Sequence, residues 1–373
     1  MSLDKTIYFF GSLPPKGQAP FGGGEVGNLR TVRMLRSFGY EVRCVSKRRT
    51  KASASKWKRL LSYPFRMGEA VVRFFFLLAF GKRQAIVHVA GFYGSTIGTE
   101  VVVMRMAKLF GYQTVYELRG GGAVKYYEEG TRRYRRQFSY LVRRADMLFS
   151  QGMENKPLLD TLCDTPFFYY PNCVTDDFLP EELPLKPADN LNLLFFGRLE
   201  KEKNILLIVE VAALLQKRFN NVTLTLIGNG QKEYLDEVRH ALKCSLKEGS
   251  YTLLPGCKHE ELKQHLADKH FYVFPSMQER EGHSNALTEA MAYGIIPIAS
   301  PQGFSRTVTG DERLIVDEYS AKAYAKRIET IVSEGEMDKL GAFVYQRVCD
   351  NYTETALAAS LRRVYDAVFD SGQ

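Results

Sequence analysis

Paired cysteines, zinc-type ligand clusters and membrane-length apolar runs are all missing from this 373-residue chain. Each absence removes a class of protein. The six cysteines (Cys44, Cys163, Cys173, Cys244, Cys257, Cys349) are scattered, with no Cys-x-x-Cys pair and no Cys/His group at zinc spacing. That argues against a disulfide framework or a structural metal, and for a reducing compartment. The most apolar stretch, Val71–Phe80, is broken by Arg73 and is roughly half the ~20 residues that span a bilayer. Met1-Ser2-Leu3-Asp4-Lys5 leads straight into an apolar strand, without the long apolar region and small-residue cleavage site of a signal peptide. The expected location is cytoplasmic, with peripheral contact at the inner face of a membrane. No short repeat recurs. Neither the aromatic–basic strands of an RNA-recognition module nor a helix-turn-helix cue is present, so no nucleic-acid partner is expected.

What is present is charge of one sign in one half. Residues 1–170 hold 28 Lys/Arg against 12 Asp/Glu, a net of +16, whereas residues 171–373 hold 23 against 30, a net of −7. An asymmetry of this size points to an anionic partner for the first half. From Lys47 to Arg83 the basic residues Lys47, Arg48, Arg49, Lys51, Lys56, Lys58, Arg59, Arg66, Arg73, Lys82 and Arg83 alternate with Trp57, Leu60, Leu61, Phe65 and Phe74-Phe75-Phe76-Leu77-Leu78. This pattern suits an interfacial helix on anionic lipid; a core helix with a solvated basic face is the other reading. A second cluster stands at Arg132, Arg133, Arg135, Arg136, Arg143 and Arg144.

Short apolar runs alternate with helical patterns along the chain. Strands are expected at Thr6–Phe10, Glu41–Val45, Ala85–Val89, Thr114–Leu118, Met147–Ser150, Leu193–Phe196, Thr223–Ile227, Tyr251–Leu254, Tyr272–Phe274 and Ile296–Ala299. Leu29, Val32, Leu35 and Phe38 mark one intervening helix face, and Ile208, Val211, Leu214 and Leu215 another. Such alternation predicts an α/β fold with parallel sheets covered by helices on both faces. Ten strands are too many for one small sheet. The proline-rich segment Leu179–Asn190 separates two domains, a first over 1–180 and a second over 191–352. The last stretch, 353–373, is expected to be a helix packing back on the first domain.

Three loops at strand ends carry candidate chemistry, because ligands of open α/β sheets bind outside the carboxyl ends of strands. After Leu193–Phe196 comes Gly197-Arg198-Leu199-Glu200-Lys201-Glu202-Lys203-Asn204, where Arg198 and Lys203 could clamp a diphosphate; a solvated charged loop is the alternative. After the next strand stands Gly228-Asn229-Gly230, where glycine permits close backbone approach to a ligand or to another element. After Tyr272–Phe274 runs Pro275 to Gly294. A helix is expected from Ser284 or Asn285 to Gly294, its first N–H groups suited to phosphate. Glu281 lies just before that helix and Glu289 inside it. Two carboxylates beside a phosphate site suit sugar or ribose hydroxyls; the plainer reading makes them surface charges.

Together these residues resemble a known family. Glu281-x7-Glu289 followed by Ala290-Met291-Ala292-x-Gly294 is similar to the signature of glycosyltransferase family 4, the glycosyl transferases group 1 of GT-B fold. Gly197-Arg198-Leu199 with Lys203, Ile227-Gly228-Asn229-Gly230, Phe274-Pro275-Ser276, Pro171-Asn172 before Phe178-x-Pro180, and Gly22-Gly23-Gly24 ahead of Phe38-Gly39-Tyr40-Glu41-Val42 match it in the same order. The resemblance implies two Rossmann-like domains with parallel sheets facing a central cleft, the first for the acceptor and the second for a nucleotide-sugar donor. It implies a retaining glycosyltransferase of the hexosyl or N-acetylhexosaminyl class. This enzyme would use a UDP- or GDP-sugar on a glycan or polyprenyl-linked acceptor, in surface polysaccharide or glycoconjugate synthesis. Arg198 and Lys203 would neutralise the leaving diphosphate, Glu281 would hold hydroxyls of the transferred sugar and Glu289 the ribose. His283, Ser284, Asn285, Ala286, Gly228 and the backbone about Cys257 would complete the donor site, with Gly23 and Gly24 approaching the phosphate. With no Asp-x-Asp triplet, neither a metal nor any other cofactor is expected.

The chain departs from the family at three places. Arg119 stands where many members have His after the fourth strand, and could serve phosphate or an anionic acceptor, or be a salt-bridged rim residue. Asn204 replaces the usual Gly after Lys203. Ser300-Pro301-Gln302-Gly303-Phe304-Ser305-Arg306 lacks the common Gly-Gly-x-Pro-Glu, which bears on donor-sugar preference. Two other enzyme classes share this architecture. A nucleotide-sugar epimerase is the first. The second, a dinucleotide-dependent oxidoreductase, would use Gly22, Gly24 and Gly27, but Ser46-Lys47-Arg48 stands where its acidic residue is needed.

Overall fold

The computed structural model describes residues 5–15, 17–18, 23–47, 56–92, 94 and 96–372. Gly22, Arg48, Arg49 and Lys51 lie outside the described residues, as do the side chains of Lys56, Lys58, Arg59, Leu60 and Leu61. The chain divides into two compact units, Met1–Pro171 with Ala358–Gln373, and Asn172–Leu357.

The first unit runs β1 (Thr6–Gly11), α1 (Gly23–Ser37), β2 (Glu41–Ser46), α2 (Lys56–Ala79), β3 (Ala85–Phe92), α3 (Ile97–Leu109), β4 (Gln113–Arg119), α4 (Ala123–Glu128), α5 (Arg132–Arg144), β5 (Met147–Ser150), α6 (Lys156–Leu162) and β6 (Phe167–Tyr169). Its sheet has the order β2-β1-β3-β4-β5-β6, parallel throughout. β1 is buried at every position, the pattern of a strand covered on both faces. β6 is a strand that the sequence reading missed. Its three residues are all half-buried and it pairs only with β5, so a short edge strand left too little periodicity to see.

The second unit runs β7 (Leu191–Phe196), α7 (Ile205–Leu215), β8 (Val222–Ile227), α8 (Lys232–Ser245), β9 (Tyr251–Leu254), α9 (His259–Lys263), β10 (Phe271–Phe274), α10 (Asn285–Met291), β11 (Ile296–Ala299), α11 (Ser305–Thr309), α12 (Ala321–Ser333) and α13 (Met337–Asn351). Its sheet order is β11-β10-β7-β8-β9, again parallel. Residues 172–180, grouped by the sequence with the first domain, lie with this unit. Val174 N–H donates to the Tyr352 carbonyl (2.8 Å), and the Val174 carbonyl accepts from Glu354 N–H (3.2 Å). The proline-rich segment is irregular but anchored. Lys186 Nζ donates to the carbonyls of Ala267 (3.0 Å) and Tyr293 (2.8 Å), and burial pulls its pKa down to about 8.

α14 (Glu354–Asp370) ends the chain, and from Ala358 onward it belongs to the first unit. Leu361, Tyr365 and Val368 form its buried stripe. Tyr365 OH meets His88 Nδ1 at 2.5 Å, His88 Nε2 meets Glu117 Oε2 at 2.9 Å, and Arg119 Nη2 lies 2.7 Å from Glu117 Oε1. Burial keeps His88 neutral by lowering its pKa from 6.5. Burial opposes the Glu117 charge as well, but Arg119 and His88 more than offset this and hold the carboxyl below its usual range.

A histidine that is harder to protonate folded than unfolded stabilises the protein only above its unfolded pKa. The urea midpoint should therefore decline as pH falls below 6.5, and His88→Gln should flatten that slope. Tyr365→Phe, which strips a buried hydrogen bond, should cost about 1–2 kcal/mol in the same titration.

Candidate functional site

In the second unit the chain moves from β7 to β8 and β9, then returns to the other side of β7 for β10 and β11. The carboxyl ends of β7 and β10 are thus a topological switch point, where the flanking loops diverge and leave a crevice. The loop after β7 begins at Gly197 (φ +141°), makes one 3-10 turn over Lys201–Lys203 and enters α7 through Asn204. Asn204 has φ 56° and ψ 46°. This is the left-handed region that Gly occupies freely and Asn tolerates best among the rest. The departure from the family's usual Gly is thereby accommodated.

Lys203 and Glu281 meet across the switch point. Nζ of Lys203 donates to Glu281 Oε2, and Ser276 Oγ donates to the same oxygen at 3.1 Å. Lys203 is buried and its ammonium lies 5.1 Å from the Phe274 ring centroid. Met277 N–H donates to the Glu202 carbonyl at 2.8 Å, tying the two loops by backbone as well. The Ser276 carbonyl accepts from Ser300 Oγ (2.7 Å) and Tyr319 OH (3.2 Å), so the loop after β11 braces the Glu281 loop. Gly303 is essential to that brace. Its φ is +62°, and a Cβ there would stand 2.1 Å from the Glu281 carbonyl oxygen.

α10 starts at Asn285 with Ser284 as N-cap, whose Oγ accepts from Leu287 N–H at 3.4 Å. The Asn285 and Ala286 N–H groups have no carbonyl partner within the helix. The α-helix proper ends at Met291; Ala292 N–H still donates to the Thr288 carbonyl (2.9 Å), and shorter-range bonds from Tyr293 to Ala290 (3.0 Å) and from Gly294 to Met291 (2.9 Å) carry the turn to Gly294 at φ +64°. His283 is buried, with Nε2 2.7 Å from Thr288 Oγ1 and its ring edge-on to Tyr352; its carbonyl accepts from Asn172 Nδ2 at 2.9 Å. Its imidazole thus braces the helix entry. Glu289 is buried on α10, and His259 Nε2 lies 3.6 Å from its Oε1. Beneath both carboxylates Tyr272 OH donates to the Phe196 carbonyl at 2.9 Å. Burial, then the fields of Glu281 and Glu289, push the phenol pKa well up.

The other expected residues are distributed more widely. Arg198 shares the loop with Lys203, but its guanidinium is exposed and donates to Glu200 Oε1 at 2.9 Å. Gly228 serves packing: a Cβ would stand 1.9 Å from the Gly197 carbonyl oxygen. Cys257 is half-buried beyond β9, next to Gly256, whose N–H donates to Asn229 Oδ1 at 3.1 Å. Gly23 and Gly24 open α1 in the first unit. Arg119, also in that unit, is buried and not on a rim. Nη2 donates to Thr31 Oγ1 at 3.0 Å, while Nε and Nη1 are buried without a hydrogen-bond partner among the described residues. His259, Ser276 and Ser300 escaped the sequence reading. Ser276 lay inside a matched motif and Ser300 opened the loop that departs from the family, but neither was given a role; nothing in the spacing marked His259. Among the described residues no group of three or more His, Cys, Asp or Glu could hold a metal ion. A cavity of about 780 Å³ in the first unit opens at the amino ends of its strands; two of its cations, Lys5 and Lys82, are already paired with Asp366 and Glu41.

Residues 181–342, which contain both site loops and α10, match the family described as glycosyl transferases group 1. Over 186 residues the chain is 22% identical to the capsular polysaccharide biosynthesis glycosyltransferase CapM of Staphylococcus aureus, a stretch that is 48% of this chain and 46% of that protein. The match thus spans about half the length of the curated relative. Similar solved structures include a sucrose-phosphate synthase from Thermosynechococcus elongatus (TM-score 0.74, 18% identity, 98% of this chain and 100% of that one). A glycosyltransferase from Rickettsia africae (0.71, 14%, 98% and 99%) and Anabaena HepE solved with UDP (0.68, 13%, 97% and 100%) are also similar. The architecture of two Rossmann-like units with parallel sheets is that of the GT-B glycosyltransferases.

Asn204→Val should lower stability by about 1–2 kcal/mol while Asn204→Gly stays within about 0.5 kcal/mol, because a β-branched residue resists the left-handed region; urea titration separates them. Gly303→Ala should be costlier still, since both its φ and the Glu281 carbonyl oppose a methyl group.

Proposed function

We propose that this chain is a retaining, metal-independent glycosyltransferase. It would move a hexosyl or N-acetylhexosaminyl group from a UDP- or GDP-sugar to a glycan or polyprenyl-linked acceptor, in surface polysaccharide or glycoconjugate synthesis. The observation that carries this reading is the Lys203–Glu281 pair at the β7/β10 switch point, one loop away from the capped start of α10. The cation and the free N–H groups there suit a diphosphate, and the carboxylates suit the hydroxyls of a sugar and a ribose.

The roles follow from chemistry. The donor diphosphate takes the N–H groups of Asn285 and Ala286 on one side and Lys203 on the other, with exposed Arg198 swinging from Glu200 to complete the clamp. Glu281, sharing Lys203 with the phosphate, accepts hydroxyls of the sugar. Glu289 accepts the ribose hydroxyls, and the backbone about Gly256 and Cys257 faces the base. In the transfer step the bond from the anomeric carbon to the phosphate oxygen breaks as the bond to the acceptor oxygen forms on the same face. The departing phosphate oxygen takes the acceptor proton. No protein nucleophile is needed, so the residues position the donor and stabilise the charge developing on the diphosphate. Lys203 and Arg198 supply the positive charge that a divalent ion supplies elsewhere. Arg119, with two buried donor nitrogens unpartnered among the described residues, would serve an anionic acceptor or a phosphate.

A thermal-shift series with UDP, GDP, ADP, CMP and NAD, each with and without magnesium, tests the donor site, since a ligand that binds the folded state raises the melting temperature. One nucleoside diphosphate should stabilise the protein without magnesium, and Glu289→Ala should abolish the shift. Stabilisation by NAD alone would overturn the reading. With the matching sugar donor, Lys203→Ala should lower turnover about 10²–10³-fold, the usual cost of removing one preorganised charge-stabilising group.

A further inference from the structure

Three helices of the first unit, α2, α3 and α5, form one layer over a single face of its sheet. Phe74 of α2, Met104 of α3 and Phe138 of α5 share a core with Val89 and Leu148 of the strands. The outer side of such a layer faces water and is ordinarily polar. On α2 it is mainly apolar: Trp57, Phe65, Val72, Phe76 and Phe80 are 74%, 81%, 54%, 54% and 83% exposed, and the acidic side chain on the same side, Glu69, has its charge offset by Arg73 at 3.9 Å. At a helical turn of ~100° per residue they fall within one arc, opposite the buried Met67, Ala70, Phe74 and Leu78. Leu109, at the end of α3, is 82% exposed. The helix is therefore apolar on two sides, and the core accounts for only one of them.

The same layer carries unmatched positive charge. Residues 131–144 hold six arginines and no acidic residue. The six guanidinium groups are exposed, and none pairs with a carboxylate among the described residues. Arg132, Arg135, Arg136 and Arg143, with Tyr127 and Tyr140, line an open hollow of about 650 Å³. Arg105 of α3 stacks over the Tyr140 ring at 5.1 Å, joining the middle helix to the basic one. No helix among the described residues is long and apolar enough to cross a membrane.

We propose that the outer face of the α2–α3–α5 layer docks on an anionic lipid bilayer, with the aromatic arc of α2 at the acyl boundary and the arginines of α5 on lipid phosphates. Aromatic rings beside free cations are the complement of such a surface, apolar beneath and negative above. A nucleic acid would match the arginines but leave the apolar arc in water. A second copy of this face would set like charges against each other. The inference stands apart from the proposed transfer chemistry, and its test needs no donor or acceptor.

Trp57 is the sole tryptophan of the chain and lies in the arc, so its fluorescence reports insertion. The protein should float with vesicles of phosphatidylcholine and phosphatidylglycerol, and its emission should shift to the blue and be quenched by brominated acyl chains. Vesicles of phosphatidylcholine alone, or high salt, should abolish this. Phe65→Ser combined with Phe76→Ser, and separately Arg132→Glu combined with Arg136→Glu, should each weaken partitioning at least about tenfold. Circular-dichroism melting and nucleotide-induced thermal shift should be unchanged in both. Three results would overturn the proposal: no flotation on the anionic vesicles, flotation with Trp57 unquenched, or a blue-shifted dimer in the absence of lipid.

Discussion

Lys203 and Glu281 lie in loops separated by nearly eighty residues of chain, and both side chains are largely removed from water. Burying either charge alone would be strongly unfavourable; burying them against each other is tolerable only when other polar groups complete the set. Ser276 does so from within the Glu281 loop, and Ser300 and Tyr319 hold Ser276 in turn. The requirement that this pair close therefore fixes the loops after β7, β10 and β11 with respect to one another. It also concentrates charge at the one edge of the sheet where strand order reverses and the backbone leaves a crevice. In the proposed donor complex a diphosphate would offer Lys203 a stronger anionic partner, and a sugar would offer Glu281 hydroxyl donors.

The first unit solves a related problem differently. A buried chain of Tyr365, His88, Glu117 and Arg119 runs from the terminal helix through β3 to the carboxyl end of β4. Its acidic member is held charged by Arg119, and its histidine stays neutral because burial outweighs the carboxylate beside it. The network fastens α14 to this unit although most of the intervening sequence belongs to the other. Two donor nitrogens of Arg119 at the end of that chain have no hydrogen-bond partner among the described residues. On the outer surface the six arginines of residues 131–144 pair with no carboxylate among the described residues, and they share a helical layer with the exposed aromatic rings of α2.

Much of this was legible beforehand because it rests on local rules. Strands buried on both faces show as unbroken apolar runs, as in β1 and β7. The capped start of α10 shows in Ser284, and the strand-end loops show in their glycines and charges. Other features depended on contacts between remote segments. β6 was too short and too exposed to mark itself. Residues 172–180 followed the second unit because Val174 bonds to Tyr352 and Glu354, a contact no local pattern announces. His259 came beside Glu289 through contacts between remote segments, its ring edge-on to Phe178, which in turn meets Tyr293 just after α10.

By itself, then, the sequence determined the α/β class, the order of strand and helix, and the loops at the carboxyl ends of the strands. Those follow from the spacing of apolar residues and from the few backbone shapes that glycine, proline and capping residues permit. Only the tertiary structure decided which charges are partnered. Arg198 and Lys203 look equivalent in the chain, yet one stands in solvent beside Glu200 and the other is buried on Glu281. It likewise decided which aromatic residues of α2 enter the core and which remain outside, since a helix apolar on two sides cannot reveal from its periodicity alone which side the sheet will cover.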